Sequence, residues 1–351
     1  MLEQLNDGSY QFSALDRYEF EDGVVSLWSS QDMVVLKLIA HALQSHIGNS
    51  MPKSCYHVKG HGGLKKAVQN THEALPEYRY VMRSDIKSYY ESIHFNTLMT
   101  IIETYVKHKI LLQLIYKACC RTETRGGVFY EYNNKSIPKG SPLSPILGAI
   151  ALIPLDQAMK KMTGVFYARF MDDWIVLTRS KTALRKVIKR THAIMHDLKF
   201  KLHPMKTYIG KISHGFNFLA FYMDHQTILP SKETLRRFSE RASALYEQAP
   251  SHRSRYYTSD RDISEYQANE SAPTDADFNM ILVALNALTL KNRDLRARLQ
   301  KYIRKWSNWL VSGLADVIAL KTCGHDMLPT LAAYVISGGS YDGSPSLMTH
   351  C

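Results

Sequence analysis

The chain has 351 residues, 45% hydrophobic and 22% charged, enough apolar material for a sizeable core and a length that permits two or three domains. No run of about 18 apolar residues occurs, and the N-terminal MLEQLNDGSYQFSALDRYEF has no basic start leading into an apolar stretch, so a membrane span and a secretory leader are not expected and the protein is placed in the cytoplasm. Lys and Arg number 44 against 32 Asp and Glu, giving a formal charge of +12 and a pI near 9.3 that suits a polyanionic partner such as nucleic acid; five cysteines without a CxxC spacing argue against a disulfide framework or a zinc site.

Residues 24–46 read as a loop and then an amphipathic helix that Ser29 or Ser30 can cap, with Val34, Leu38, Ile39 and Leu43 near helical spacing. A Gly-rich basic turn, YHVKGHGG, then leads into a helix ending near residue 75. YRYVMRSDIKSYYESI (78–93) begins with strand formers and ends in a turn or short helix. Residues 97–120 are apolar at helical spacing and predict one supporting helix. GGVFYEYNNKSIPKG (126–140) predicts a hairpin turning at Asn133–Asn134. SPLSPILGAIALIPLDQAMKKM (141–162) predicts a loop feeding a long helix, and GVFYARFMDDWIVLTRS (164–180) two strands around a tight polar turn. A basic amphipathic helix over 182–198 and a strand pair in GFNFLAFYM (215–223) follow. After residue 225 come a helix over 232–248, a polar loop over 250–277, and two helices in FNMILVALNALTL and LRARLQKYIRKWSNWLVSGL, the second basic on its exposed positions.

Three carboxylates carry the chemical signal. Asp85 follows the strand YRYVMRS, and Asp172–Asp173 occupy the turn between FYARF and WIVL. Asp is at home in tight turns, so the pair alone is compatible with turn chemistry. Adjacent acids between aromatic and β-branched residues repel one another, however, and favour a cation. If the two segments pair in one sheet, all three converge at one edge. Nucleotidyl transfer needs such a cluster: two Mg²⁺ ions about 3.5–4 Å apart lower the pKa of the attacking 3′-OH and hold the triphosphate, with oxygen ligands from one or two carboxylates, phosphates and water.

Taken together, these segments resemble the reverse transcriptase family. DIKSYYESI resembles its first catalytic motif, YARFMDDW its Tyr-x-Asp-Asp box, and KGSPLSPILGAIAL the nucleotide-binding motif before a long palm helix. LKFKLHPMKT is similar to the next motif and GFNFLAFYM to the hairpin that grips the primer terminus, so five motifs fall in order across residues 25–225. The resemblance implies an α+β right hand, with fingers over 1–80 (100–138 contributing), a palm over 81–225 whose antiparallel sheet is backed by helices, and a helical thumb with the C-terminal segment over 226–351.

The resemblance also implies roles. Asp85 and Asp172 would bind both Mg²⁺ ions (or Mn²⁺), with Asp173 less direct and the Ile86 carbonyl a further ligand. Tyr90 matches the aromatic gate that clashes with a 2′-OH, its alternative being a core tyrosine. Gly140 and Ser141 would bring backbone close to the incoming nucleotide. Lys139 stands where the family usually has Gln, exchanging an amide for a point charge. Lys206 matches the proposed general acid for the leaving pyrophosphate, against a solvated surface Lys. Lys59, Lys65 and Arg83 would contact triphosphate or template. Phe218, Leu219 and Phe221 would form the primer grip, with Ala220 where the family often has Gly. Arg293, Arg296, Arg298, Lys301, Arg304 and Lys305 either track a duplex or form a solvated face, while Tyr302, Trp306 and Trp309 read as core.

The implied activity is RNA-directed DNA synthesis from dNTPs, with an RNA template, a DNA primer or product, and a protein partner or a second copy left open. Retron, group II intron, diversity-generating and antiphage settings are all compatible. IPKGSPLSPILGAIAL and ARFMDDW most resemble the defence-associated bacterial groups, which implies a dedicated non-coding RNA and leaves open initiation from a protein hydroxyl. A non-catalytic splicing scaffold would be expected to have lost its metal carboxylates, and an RNA-directed RNA polymerase would lack an aromatic at Tyr90. No endonuclease, integrase or RNase H signature is recognised.

Overall fold

The computed structural model describes residues 1–20, 23–131, 137, 140–247, 271–274, 277 and 293–312. The Asn133–Asn134 turn, Lys139, the FNMILVALNALTL helix and most of the polar loop lie outside them. The chain divides into two compact units, Met1–Ala67 with Tyr80–Ile209, and Val68–Arg79 with Gly210–Cys351.

Helix α1 (Leu2–Asn6) is followed by β1 (Leu15–Phe20), β2 (Gly23–Leu27) and α2 (Ser30–Ile47). Ser29 caps α2 by accepting the Asp32 N–H at 3.1 Å, and its own hydroxyl donates to the Asp32 carboxylate at 2.7 Å. Tyr10 donates to the same buried carboxylate at 2.7 Å, so Asp32 is buried but satisfied. The buried stripe is Val35, Leu36, Ile39, Leu43 and Ile47; Val34 and Leu38, expected inside, are about half exposed.

After α3 (Gly63–Ala74), β3 (Tyr80–Ser84) and α4 (Tyr89–Ser92), two helices occupy the span expected to hold one: α5 (Phe95–Tyr105) and α6 (Lys109–Cys119). Val106 turns extended between them, and His108 starts α6 by accepting the Leu111 N–H at 3.2 Å. The next hairpin, β4 (Thr122–Arg125) and β5 (Val128–Glu131), turns at Gly126–Gly127. Both glycines have positive φ (54° and 82°), which a two-residue hairpin turn demands and Gly supplies without steric cost. The long palm helix is likewise two, α7 (Ser144–Ala151) and α8 (Ile153–Lys160), broken beside Pro154, which has no N–H to continue the ladder.

Strands β6 (Val165–Phe170) and β7 (Asp173–Thr178), helix α9 (Lys181–Asp197) and β8 (Tyr208–Lys211) complete a four-stranded sheet in the order β6-β7-β3-β8. β7 runs antiparallel to both β6 and β3. Helices α8 and α9 back this sheet, α9 lying against β3 and β7. A second sheet in the order β2-β1-β4-β5 includes a parallel β1–β4 pair. The core beneath draws Leu36 and Leu43 from α2, Ile115 from α6, Leu147 and Ile150 from α7, Trp174 and Val176 from β7, and Val187 from α9, each fully buried and each contributing about 1.5–3 kcal/mol.

In the second unit, β9 (Phe216–Phe218), β10 (Phe221–Met223) and β11 (Ile228–Pro230) form a meander, followed by α10 (Lys232–Glu247) and α11 (Arg293–Val311). Phe238 of α10 packs against Tyr302 and Trp306 of α11, and Phe221 stacks on Trp309 with centroids 5.7 Å apart, so these aromatics are core, as expected. The β9–β10 turn holds Leu219 at φ 48° and Ala220 at φ 74°, left-handed backbone that L residues adopt at a cost of about 1–2 kcal/mol each. Ala220→Gly is therefore expected to stabilise the protein by about 0.5–1 kcal/mol after the greater freedom of Gly in the unfolded chain is counted, read as a raised urea midpoint at unchanged slope; a lowered midpoint would show the turn unstrained.

Cys55, Cys119 and Cys120 are free thiols; Cys323 and Cys351 lie outside the described residues. Among the described residues, no helix is long and apolar enough to cross a membrane.

Candidate active site

The β3–β7 register pairs Ser84 with Trp174, so the next step along the ladder sets Asp85 level with Asp173. The β6–β7 register pairs Phe170 with Asp173, leaving Met171 and Asp172 as the two-residue turn, with Met171 at φ 58°. The three carboxylates thus gather at one edge of one sheet. Beyond Asp85 the chain pairs with residues 201–203: His203 N–H donates to the Asp85 carbonyl at 2.8 Å, and Lys87 N–H to the Lys201 carbonyl at 2.9 Å. Successive carbonyls alternate sides along an extended ladder, so the Ile86 carbonyl points the other way, toward the side where β7 lies.

Charge at this edge is strained. Burial pushes the Asp172 carboxyl up to about 6, with the Asp85 carboxylate adding to the shift. Burial pushes Asp173 up to about 7, opposed by Arg83 and reinforced by Asp85 and Asp172. Asp85 is also raised by burial, with Lys206 pulling against it. The Lys206 ammonium stands 3.4 Å from Asp85 Oδ2, and Arg83 donates to the Lys206 carbonyl at 3.2 Å. Asp173 Oδ1 is buried with no hydrogen-bond partner. Among the described residues no group of three or more His, Cys, Asp or Glu is placed to share one ion. An all-oxygen, incomplete shell with an orphaned carboxylate oxygen suits Mg²⁺, which keeps water and phosphate in its coordination sphere.

Tyr90 lies beside this edge, partly buried, with Asp172 contributing to the upward shift that burial imposes on its hydroxyl. It leans on the buried Tyr89, ring centroids 5.5 Å apart, and Tyr89 donates to the Gly148 carbonyl of α7. A Cβ at Gly148 would stand 3.2 Å from the nearest ring carbon of each tyrosine. Gly140 is exposed at φ 79°, while Ser141 is buried and accepts the Leu143 N–H on its hydroxyl at 3.1 Å, so it builds the turn into α7.

Other expected contacts are placed differently. Lys59 is exposed in the turn before α3, and Lys65, in the first turn of α3, is lowered to about 8 by burial. Of the expected primer-grip residues, Phe218 and Phe221 are buried within the β9–β10 hairpin, Leu219 at its tip is partly buried, and Ala220 beside it is exposed. Lys301 and Arg304 are exposed on α11; the Arg296 side chain lies outside the described residues.

Four supporting residues escaped sequence reading. Arg169, fully buried, grips Asp156 of α8 through Nε at 2.7 Å and Nη2 at 2.5 Å, and Tyr167 donates to the same carboxylate at 2.7 Å. Arg169 Nη1 also donates to the Met171 carbonyl at 2.7 Å, while the Met171 N–H donates to His57 Nδ1 at 2.9 Å. Burial holds His57 neutral, its pKa down to about 3, as an acceptor needs. The peptide groups immediately before Asp172 are therefore fixed on both sides. A lone Arg inside an apolar strand was the available signal, since such a charge must find a partner.

Among known proteins, the family model described as reverse transcriptase (RNA-dependent DNA polymerase) matches residues 24–223. Protein YkfC of Escherichia coli (strain K12) is 22% identical over 176 residues, 40% of this chain and 46% of that protein, so the chain matches just under half the length of this curated relative. The structure of apo telomerase from Candida tropicalis is similar with a TM-score of 0.52 at 12% identity, over 97% of this chain and 68% of that one, a likeness of fold. Telomerase from Candida albicans in complex with a TWJ fragment of telomeric RNA gives 0.49 at 10% identity, over 98% and 64%.

Proposed function

The chain belongs to the reverse transcriptase family, and from that premise we propose that it is an RNA-directed DNA polymerase extending a primer with dNTPs. The observation that carries this reading is the convergence of Asp85, Asp172 and Asp173 at one sheet edge with Lys206 held 3.4 Å from Asp85. Asp85, Asp172 and the Ile86 carbonyl would hold Mg²⁺ or Mn²⁺, with Asp173 alongside. When bound, the ions activate the 3′-OH and neutralise the triphosphate. Lys206, kept at the site by Asp85, is positioned to give its proton to the departing pyrophosphate. Arg83, Lys59, Lys65 and the undescribed Lys139 supply cations for triphosphate or template, and the Leu219–Ala220 tip for the primer.

In this reading residues 1–80 with 100–138 are the fingers, 81–225 the palm and 226–351 the thumb. Motif wording supports a defence-associated enzyme that copies a dedicated non-coding RNA, alone or with a protein partner, and the cytoplasm is the compartment proposed for it. Primer extension tests the activity, with RNA or DNA templates, Mg²⁺, and dNTPs or rNTPs. Copying of RNA with dNTPs is expected; no extension in any combination, even with RNA co-purified from the host, sinks the reading in favour of a scaffold. Tyr90→Val should admit ribonucleotides, lowering the dNTP-to-rNTP ratio of kcat/KM on the order of tenfold or more. An unchanged ratio would make Tyr90 a packing residue.

A further inference from the structure

The carboxylate edge leaves one strongly charged surface of the first unit unused. On α9, Lys181, Arg185, Lys189, His192 and His196 are all exposed, and at 100° per residue they fall within about 80° of arc along roughly 22 Å of helix. Leu184, Val187, Ile194 and Met195 bury the helix on its other side, so the stripe is turned away from the sheet. Lys186 and Arg190 are exposed as well, and Lys199 continues the stripe past the helix end. There His192, His196, Lys199 and Lys201 border an open cavity of about 790 Å³ with Phe200 and Met195 in its lining.

A charged helix face is often only solvated, and such faces alternate sign. α10 does so: Arg236 and Arg237 pair with Glu233, and Arg236 also with Glu240. α9 does not. Its one exposed acid, Asp197, faces His196 at 3.7 Å, and none of Lys181, Arg185, Lys186, Lys189 or Arg190 pairs with an acid among the described residues. Lys181, Arg185 and Lys189 repel one another at four-residue spacing, and no acid occupies the first turn, where the helix dipole disfavours cations. An external polyanion removes both penalties.

We propose that this face of α9, continued by Lys199 and Lys201, docks the phosphodiester backbone of structured RNA outside the catalytic edge. The stripe is long enough to follow several base pairs of a duplex. Choosing RNA over another nucleic acid rests on the reading of the chain as an RNA-copying enzyme.

The test is the affinity of the full-length protein for a blunt duplex RNA hairpin of about 20 base pairs across a salt series, without dNTPs. The triple variant Lys181→Gln, Arg185→Gln, Lys189→Gln is compared with a charge-matched control, Lys53→Gln, Lys107→Gln, Lys109→Gln. Loss of about three phosphate contacts should weaken binding at least tenfold and reduce the slope of log affinity against log salt by about 2–3, with little change in the control. Equal loss on duplex DNA would show that phosphate alone is read, and still supports the surface. Equal behaviour of the two variants, or unchanged RNA affinity with lost retention on polyglutamate, overturns it, the latter in favour of an acidic protein partner. Extension of a short primer–template is measured separately. If wild type extends nothing, the polymerase reading falls while the binding comparison stands.

Discussion

Asp172→Asn is expected to abolish nucleotide incorporation while raising the stability of the metal-free protein. The first half follows if, as proposed, Asp172 is a metal ligand, worth several kcal/mol of transition-state stabilisation and so three or more powers of ten in rate. The second follows from burial. Asp172 and Asp173 titrate near 6 and 7 against an ordinary 3.8, so between about pH 4 and 7 the folded state holds more protons than the unfolded one. Stability from this source is greatest near pH 4, falls as pH rises through the folded values, and carries its full penalty above about pH 8. A shift of two units corresponds to about 3 kcal/mol. The two carboxyls share their repulsion, so the neutral amide should recover about 1–3 kcal/mol at pH 8, a rise of several degrees in Tm. Wild type should approach the variant's Tm at pH 5, or at pH 8 once millimolar Mg²⁺ is added. Thermal scans from pH 5 to 9 with and without Mg²⁺, beside single-turnover extension, check both halves. A variant less stable than wild type at pH 8, or one that still incorporates, contradicts the site.

The second large effect concerns the support of that turn. Arg169→Met leaves Asp156 buried and unpaired and should cost about 3–5 kcal/mol; Asp156→Leu should cost a similar amount. The double variant removes both charges and should recover most of the stability. It cannot restore the bond from Arg169 to the Met171 carbonyl, and so should remain deficient in incorporation on the order of 10- to 100-fold. Urea unfolding and single-turnover rates separate the two properties. If the double variant regains rate along with stability, the pair is a core element and positions nothing.

Much of this site could be read from the chain. Asp85 and the Asp172–Asp173 pair were visible because strand-forming runs on either side fixed where the ladder must end, although the turn itself is Met171–Asp172 and Asp173 already opens β7. What stayed hidden depended on partners distant in sequence. The position of Arg169 in an apolar strand signals that its charge needs a partner but not that the partner is Asp156 of α8, and nothing near His57 announces that its ring accepts from Met171. The β4–β5 hairpin was missed for a local reason: it turns at Gly126–Gly127, a pair suited to positive φ that sat at the start of the segment read as one hairpin. The single helices expected over 97–120 and 141–162 each break because one residue, His108 or Pro154, favours a new start over continuation. Periodicity records which face is apolar and is blind to such interruptions.

Gly148 has a consequence for how the proposed polymerase would choose its sugar. A methyl group on α7 at that position would stand 3.2 Å from a ring carbon of both Tyr89 and Tyr90, close enough to push each ring by a few tenths of an ångström. If Tyr90 is the gate, discrimination between ribose and deoxyribose would depend on how α7 seats that ring as well as on the ring itself. A lineage could relax or tighten its fidelity there, one carbon atom at a time, leaving every catalytic side chain in place.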